Sequence, residues 1–456
     1  MKIASINPYT GQVNQEFELL SRQQCHEAVA KSRRAFPEWK DLSVTDRAAF
    51  IRTTGQRLRE NQRRFAQIVT MEMGKPIRES LAEIEKCAWL CDYYAENSKA
   101  PLEDDPIPTE AAKSYVTFEP LGTILGIMPW NFPFWQVFRF AVPAMAAGNV
   151  CLLKHASNVP ITALEIEKIF TDAKFPEGVF QTLLIDSKMA MKLVEEDKVD
   201  GVSLTGSVAA GSKIGELAGK RLKKAVLELG GSDPFIILED ADIDKAARTA
   251  LQARTINTGQ SCIAAKRFIV MESVVQEFQV KLLELFKSLK VGDPMDEKTD
   301  IGPLAKEEIV SELKRQLEDA KNKGANIIYG PEPPAGKGFF FRPAVVTNVT
   351  RDMQILKEEV FGPIAPILVV KDEAEAVELA NSTEFGLGAA VWTRNIDRGM
   401  QIAKRIASGF VAVNDMVKSD PRLPFGGIKR SGFGRELSYY GLREFVNIKT
   451  VVVVSE

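Results

Sequence analysis

The segment Asn257-Thr258-Gly259-Gln260-Ser261-Cys262-Ile263-Ala264-Ala265 places a cysteine in a polar, glycine-containing stretch. An expected helix, Asp242–Thr255, precedes it, and an apolar strand-like run, Arg267–Val270, follows. A thiol between two packed elements is held by a rigid scaffold and can still reach a ligand. Such a thiol is the nucleophile suited to attack a carbonyl near neutral pH. The same residue type also serves as a small buried hydrophobe, and that reading stays open at this point. Any proton acceptor must come from elsewhere. The chain has only two histidines, His26 and His155, neither near a second metal-ligating group, so no metal site is expected. There is no Gly-x-Ser-x-Gly elbow. Base chemistry therefore falls to a carboxylate. Glu228 ends the apolar run Ala225-Val226-Leu227, where partial burial would raise its pKa toward neutrality. Its alternative is a salt-bridged strand-end glutamate.

A guanidinium in apolar company is the next candidate. Arg139 stands within Phe134-Trp135-Gln136-Val137-Phe138-Arg139-Phe140-Ala141-Val142, a largely apolar expected helix. A buried cation is costly unless paired. Trp135 and Arg139 are four apart and share a helix face, with Asn131 just ahead of it. Eight residues of helix span ~12 Å, and side chains lean toward the N-terminus. Arg139 can thus reach back to roughly half that distance from Asn131, a gap that would suit a short ligand with a terminal carboxylate. A structural ion pair is the competing role.

Val202–Gly211 reads as strand, tight turn and helix start around Gly206 and Ser207. A glycine there lets backbone approach a ligand, and the helix N-terminus favours anions. It is neither the Gly-x-Gly-x-x-Gly fingerprint nor a P-loop, and a plain β-α turn would look the same. The strand ending at Lys154 is followed by His155-Ala156-Ser157, without the acidic residue that usually holds an adenosine ribose. Lys154 and Ser157 can donate to a 2′-phosphate instead. NADP is therefore the expected preferred cofactor, with NAD left open.

These residues need elements to position them. At 456 residues the length allows about three domains. Net charge is −2, from 59 basic and 61 acidic side chains, which gives no reason to expect a nucleic-acid or polybasic membrane partner. Ala141–Leu153 is too short to span a bilayer, and Met1–Pro8 has no apolar run of a secretory signal, so a cytoplasmic chain is expected. Five irregularly spaced cysteines do not make a disulfide framework. Residues 1–100 look mostly helical, over Ser43–Asn61, Arg63–Thr70 and from Pro76 to Tyr94. Cys25-His26 reads as helix surface, and Cys87 and Cys91 as helix core. Residues 101–108 read as a proline-bearing, non-helical linker, and Ser114–Glu119 as a strand. From Thr123 strands alternate with helices, which predicts an α/β fold with parallel sheets covered on both faces. The predicted strands are Thr123–Met128, Val150–Leu153, Val179–Ile185 and Val199–Leu204, then Phe235–Leu238, Phe268–Val270, Ala365–Val370, Ala389–Trp392 and Phe410–Val413. The run Thr450–Val454 is expected to pair with a strand of its own chain or of a partner subunit, and an oligomer is expected.

Five motifs converge: Pro129-Trp130-Asn131-Phe132-Pro133, Glu228-Leu229-Gly230-Gly231, Gly259-Gln260-Ser261-Cys262, Glu358-Glu359-Val360-Phe361-Gly362-Pro363 and Pro424-Phe425-Gly426-Gly427-Ile428-Lys429-Arg430-Ser431-Gly432. Together they resemble the aldehyde dehydrogenase superfamily over nearly the whole chain. Within it the sequence is most similar to bacterial succinate-semialdehyde dehydrogenases with one cysteine in the catalytic loop. The resemblance implies a Rossmann-type cofactor domain (1–105 and 124–230), an α/β catalytic domain (231–430) and a bridging β arm (106–123 and 431–456), in a homodimer or dimer-based tetramer. It implies Cys262 as nucleophile, Glu228 as base, and the Asn131 amide with the Cys262 N–H as oxyanion donors. It places Trp130, Lys154, Ser157, Gly206, Ser207, Glu359 and Phe361 along the cofactor, and Trp135, Arg139 and Ser419 at the substrate. NAD-using members usually carry glutamate where Ser157 stands. Position 264 is alanine, so the loop lacks the second cysteine with which some relatives form a disulfide. The expected reaction is oxidation of succinate semialdehyde to succinate. Glutarate semialdehyde, broad aliphatic aldehydes, a CoA-acylating variant and a non-enzymatic binding or structural role are the alternatives.

Overall fold

A computed structural model describes residues 2–196, 198–336 and 338–454. Two parallel-rich sheets form its centre. The first has six strands, in the order 432–433, 224–228, 201–205, 123–128, 150–155 and 180–182. The strand Gly432–Phe433 alone is antiparallel, paired with Leu227 and Glu228. The second sheet has seven strands, in the order 326–329, 344–347, 364–370, 265–271, 233–237, 388–392 and 410–413. Only its outer strand, Asn326–Tyr329, runs antiparallel. These strands are nearly continuous Val, Ile, Leu and Ala, as a sheet covered on both faces requires.

The order of the first sheet fixes the site. The order in which strands are added reverses between Thr123–Met128, with the strands that follow it on one side, and the parallel strand Gly201–Thr205 on the other. Ligands bind outside the carboxyl ends of strands at such a switch point. Pro129–Asn131 leaves one strand there, and Gly206-Ser207 leaves the other.

The helix Trp135–Ala146 is buried along its whole length, including Gln136 and Arg139. Its N-terminus is closed by a neighbour, since Glu83 Oε1 accepts from the N–H groups of Phe134 at 2.8 Å and Trp135 at 2.9 Å. A carboxylate satisfies orphan donors there and complements the helix dipole. Glu83 belongs to the helix Ile77–Asn97 and is itself paired with the buried Lys75.

Most expected elements appear, with corrections. The first eighteen residues are not helical: Lys2–Ile6 and Val13–Glu18 form an antiparallel hairpin. Cys25 is not on a helix surface. It is fully buried under the helix Arg22–Asp41 against Leu125 and Leu152, and only His26 reaches solvent, bonded to Glu196 at 3.0 Å. Cys87 and Cys91 are buried in the helix core. The stretch 101–108 is not wholly irregular, because Lys99–Leu102 makes one helical turn before Asp105–Pro106 pairs with Val116 and Tyr115. The expected strand Val179–Ile185 contracts to Phe180–Thr182. The terminal run pairs within its own chain, as Val446–Val453 registered antiparallel on Lys113–Pro120.

Gly126 lies where the helix Trp135–Ala146 meets the first sheet. A Cβ there would stand 2.3 Å from the Phe140 ring. Gly126→Ala is expected to destabilise the fold by about 1–3 kcal/mol through overpacking, read as a lower urea midpoint with unchanged slope.

Candidate active site

Cys262 follows a backbone that is hard to form. Asn257, Thr258 and Gly259 all have positive φ, at 53°, 55° and 79°. Left-handed asparagine and threonine cost of order 1 kcal/mol or more each and persist only when surroundings impose them. A Cβ on Gly259 would lie 2.4 Å from the Gly362 carbonyl carbon. Asn257 donates through Nδ2 to the carbonyls of Asn131 at 2.7 Å and Gln260 at 3.0 Å, and its N–H donates to Glu79 at 2.6 Å. Gln260 Oε1 accepts from Ala305 N at 2.9 Å. Two buried cations close the loop. Arg254 donates to the carbonyls of Gly259 at 2.7 Å and Ala265 at 2.9 Å. Lys266 donates to the carbonyls of Ser261 at 2.9 Å and Cys262 at 2.6 Å, and pairs with Glu359 at 3.2 Å.

Two chambers meet at Cys262, with Gln136 on both. One, of about 330 Å³, is lined by Trp130, Asn131, Gly206, Ser207, Glu359 and Phe361 among others. Trp130 and Phe361 stand edge to face at 5.8 Å. Gly230 presses so closely on Glu359 that a Cβ would come within 2.5 Å of its carboxylate. Gly206 has only Leu204 near it, at 3.7 Å, which leaves its backbone open to a ligand. Ser207 caps the helix Val208–Lys220 by accepting from Ala210 N at 3.3 Å. Open backbone, an anion-favouring helix start and two aromatic rings fit a nicotinamide dinucleotide. Lys154 and Ser157 lie outside this chamber's lining, at the end of the strand Val150–His155. Ser157 is exposed, and the half-buried Lys154 has its pKa lowered by burial and by the neighbouring Lys306.

The other chamber, of about 340 Å³, is lined by Trp135, Arg139, Ser419, Lys86 and Phe425 together with Cys262. Of the two roles left open for Arg139, the structure shows the ion pair. Its Nε pairs with the buried Glu436, while its Nη2 has no hydrogen-bond partner. Its guanidinium also lies over the Phe425 ring at 4.6 Å.

Asn131 is buried and its Nδ2 donates to the Gln260 carbonyl at 3.1 Å, which sets its amide beside the cysteine loop. His155 positions the same segment. Burial pushes its pKa to about 4, so it is neutral, with Nε2–H donating to the Pro133 carbonyl at 2.9 Å and Nδ1 accepting from Ala156 N. Burial pushes the Cys262 thiol up to about 12, while Lys266 and Arg139 pull it down. Glu228 departs furthest from expectation. It is fully rather than partly buried, lines neither chamber, and neither oxygen has a hydrogen-bond partner. Burial and the Glu436 carboxylate hold its pKa well above the ordinary range, against Arg139 and Arg435. No salt bridge holds it at the strand end among the described residues.

Sequence reasoning missed Lys86, Glu83, Arg254, Lys266 and Glu436. The adjacent charges Lys266-Arg267 at the head of an apolar strand were a visible signal. Lys86 and Glu83 carry none, because a charged residue on a long helix reads as solvent-facing.

A cysteine held on a strained loop where two chambers meet, one of them fitted to a dinucleotide, is an arrangement compatible with aldehyde oxidation. The aldehyde dehydrogenase family model matches residues 1–451, and the chain belongs to that family. A probable NADP(+) succinate-semialdehyde dehydrogenase of a Synechocystis species is 48% identical over 451 residues, covering 99% of both chains. An NADP(+) succinate-semialdehyde dehydrogenase 1 of Mycobacterium bovis is 45% identical over 454 residues, again covering 99% of each. The crystal structure of succinic semialdehyde dehydrogenase from Streptococcus pyogenes in complex with NADP+ superposes with a TM-score of 0.97 at 35% identity, over 99% of this chain and 100% of that one.

The raised Glu228 pKa has a consequence for stability. The folded state binds a proton there that the unfolded chain releases above about pH 4.3. Stability contributed by this site is therefore largest below that pH and falls as pH rises toward the folded pKa. Glu228→Gln removes the loss. The variant is expected to gain urea midpoint relative to the parent at pH 8 and to show little gain at pH 4.5.

Proposed function

We propose that the protein oxidises succinate semialdehyde to succinate with NADP as preferred cofactor. The observation that carries this is the pairing of chambers at Cys262, one with donors suited to a carboxylate and one fitted to a dinucleotide. The curated relatives named above act in this way by their own names.

An aldehyde has no leaving group, so hydride loss requires a tetrahedral adduct first. Cys262 supplies the attacking sulfur. Its high resting pKa means that the thiol must lose its proton on the way to attack, with Lys266 and Arg139 favouring the anion. The adduct oxygen is received by the Asn131 amide and the Cys262 N–H, donors that stabilise the developing charge. A bound nicotinamide would supply the hydride acceptor; Glu359 would hold its ribose, and Trp130 and Phe361 would lie beside the ring. What remains on Cys262 is a thioester, and Glu228 activates water against it. That step requires the Glu228 side chain to rotate from its place beside Arg139 and Glu436 toward the sulfur. Hydrolysis at this carboxyl disfavours acyl transfer to CoA.

Lys154 and Ser157 are assigned to the 2′-phosphate, since an ammonium and an exposed hydroxyl attract that group and no carboxylate stands at either position. Trp135, Arg139 and Ser419 are assigned to the substrate carboxylate. The strand Val446–Val453 keeps one edge unpaired among the described residues and exposes Ile448, Val452 and Val453. A homodimer or dimer-based tetramer built on that edge would cover it. Five cysteines, none in a disulfide, suit the reducing cytoplasm. No helix of the described residues is long and apolar enough to cross a membrane.

Steady-state rates for C4 and C5 semialdehydes and neutral aldehydes, with each cofactor, test the assignment. The highest kcat/KM should fall on succinate semialdehyde with NADP, and a higher value with NAD or butanal would sink it. Cys262→Ala should abolish turnover. Glu228→Gln should keep a single-turnover burst of reduced cofactor while steady-state turnover falls by about 10²–10⁴-fold, the usual loss for a general base.

A further inference from the structure

Three cations line the substrate-side chamber: Lys86, Arg139 and Lys418. Two are already balanced. Lys418 is held by both oxygens of Asp415, at 2.9 and 3.0 Å. Arg139 is paired through Nε with Glu436. Lys86 is different. Its Nζ donates to Ser419 Oγ at 2.8 Å and stands 4.3 Å from the centre of the Trp135 ring. Among the described residues, no carboxylate lies within ion-pair distance of it. Each nearby acid is engaged elsewhere: Glu79, on the same chamber, accepts from Asn257 N–H at 2.6 Å, and burial raises its pKa to about 7. Glu83, one turn back on the same helix, is paired with Lys75 and caps the helix Trp135–Ala146. Asp420, beside Ser419 in the chain, is held by Arg422 at 2.7 Å. Lys86 is thus a largely desolvated ammonium with a hydroxyl and a ring for company, an arrangement that an incoming carboxylate would stabilise. Burial and the Arg139 charge lower its pKa to about 8, the strain expected of a cation awaiting a partner.

Other unfilled donors point the same way. Trp135 Nε1 is buried and has no hydrogen-bond partner, and Arg139 Nη2 is in the same condition. Both side chains line this chamber. It therefore offers two unsatisfied N–H donors around one unbalanced positive charge, with Ser419 beside it.

We propose that Lys86 is the specificity-determining cation of this enzyme, receiving the terminal carboxylate of the aldehyde together with Ser419, Trp135 Nε1 and Arg139 Nη2. Arg139 contributes direction. Because its charge is already offset by Glu436, Lys86 contributes the net charge that separates acid aldehydes from neutral ones. This assignment rests on the acid-aldehyde reading above and deepens it.

The test compares kcat/KM for succinate semialdehyde and for butanal, an uncharged four-carbon aldehyde, in the parent enzyme, Lys86→Met, Lys86→Gln and Lys86→Arg, all with NADP. In the Met and Gln variants the ratio of acid to neutral substrate should fall by about tenfold to a hundredfold, the range for a charge-assisted hydrogen bond. The fall should appear in KM of the acid more than in kcat, and inhibition by succinate should weaken in parallel. Lys86→Arg should restore most of the ratio. Gln keeps a donor near Ser419, so it serves if the Met variant does not fold. A high parent ratio that survives in both neutral variants would overturn the role of Lys86 and leave the substrate reading standing. A parent ratio near one would overturn both.

Discussion

The contact on which the site depends is the grip of Arg254 and Lys266 on the backbone around Cys262. Three successive left-handed residues are unfavourable for any chain that is free to relax. Arg254 binds the carbonyls of Gly259 and Ala265, and Lys266 binds those of Ser261 and Cys262, so buried cations clamp the loop on both sides of the sulfur. A buried cation satisfied only by carbonyl dipoles is itself costly, and Arg254 shows it in a lowered pKa. The arrangement persists because both penalties are relieved by the same bonds. Breaking either side would leave an uncompensated charge in the core. Lys266 also ties the loop to Glu359, at 3.2 Å, so Cys262 and the proposed ribose contact share one anchor.

A second tier of buried charge governs proton affinity. Glu228, Glu436 and Arg139 form a group with two carboxyls and one guanidinium. One cation cannot stabilise two desolvated anions equally, and the geometry favours Glu436, which is in direct contact with Arg139. Burial raises the proton affinity of both carboxyls, and Glu228, without direct contact to the guanidinium, is the more readily protonated. The base role proposed for it at the sulfur calls for a second, more polar position of the side chain.

Much of this was legible in the sequence. Apolar runs of four to seven residues with helices between them identified both parallel sheets. Ser43, at the head of the predicted helix Ser43–Asn61, caps it by accepting from Asp46 N at 3.1 Å. The Cys262 segment stood out as a polar, glycine-bearing loop between apolar elements. What escaped was local structure settled by distant contacts. The hairpin Lys2–Ile6 with Val13–Glu18 carries weak alternation, and strands Asn326–Tyr329 and Ala344–Thr347 flank a proline- and glycine-rich stretch that obscures them. Cys25 was misread because the helix Arg22–Asp41 is strongly polar overall and its narrow buried stripe of Cys25, Val29, Ser32 and Trp39 is easily overlooked. Pairings of charges lay further out of reach. Nothing in the order of residues says that Glu83 caps a helix beginning some fifty positions later, or that Arg139 meets Glu436 across most of the chain.

The pairing of Arg139 with Glu436 shows why such contacts matter for function. A lone arginine in an apolar helix suggests a ligand, since burying it unpaired is prohibitive. The same argument holds for any partner, and here the fold supplies one. Once Glu436 offsets the guanidinium, attraction for a substrate anion must come from charge that the fold leaves unbalanced. Lys86 looks unremarkable in sequence because it sits on a long helix among charged neighbours. Its role follows only from which of those neighbours are already engaged. Specificity for charged ligands is therefore read from differences, from the cations that remain after internal pairs have been matched, and that subtraction requires the three-dimensional contacts.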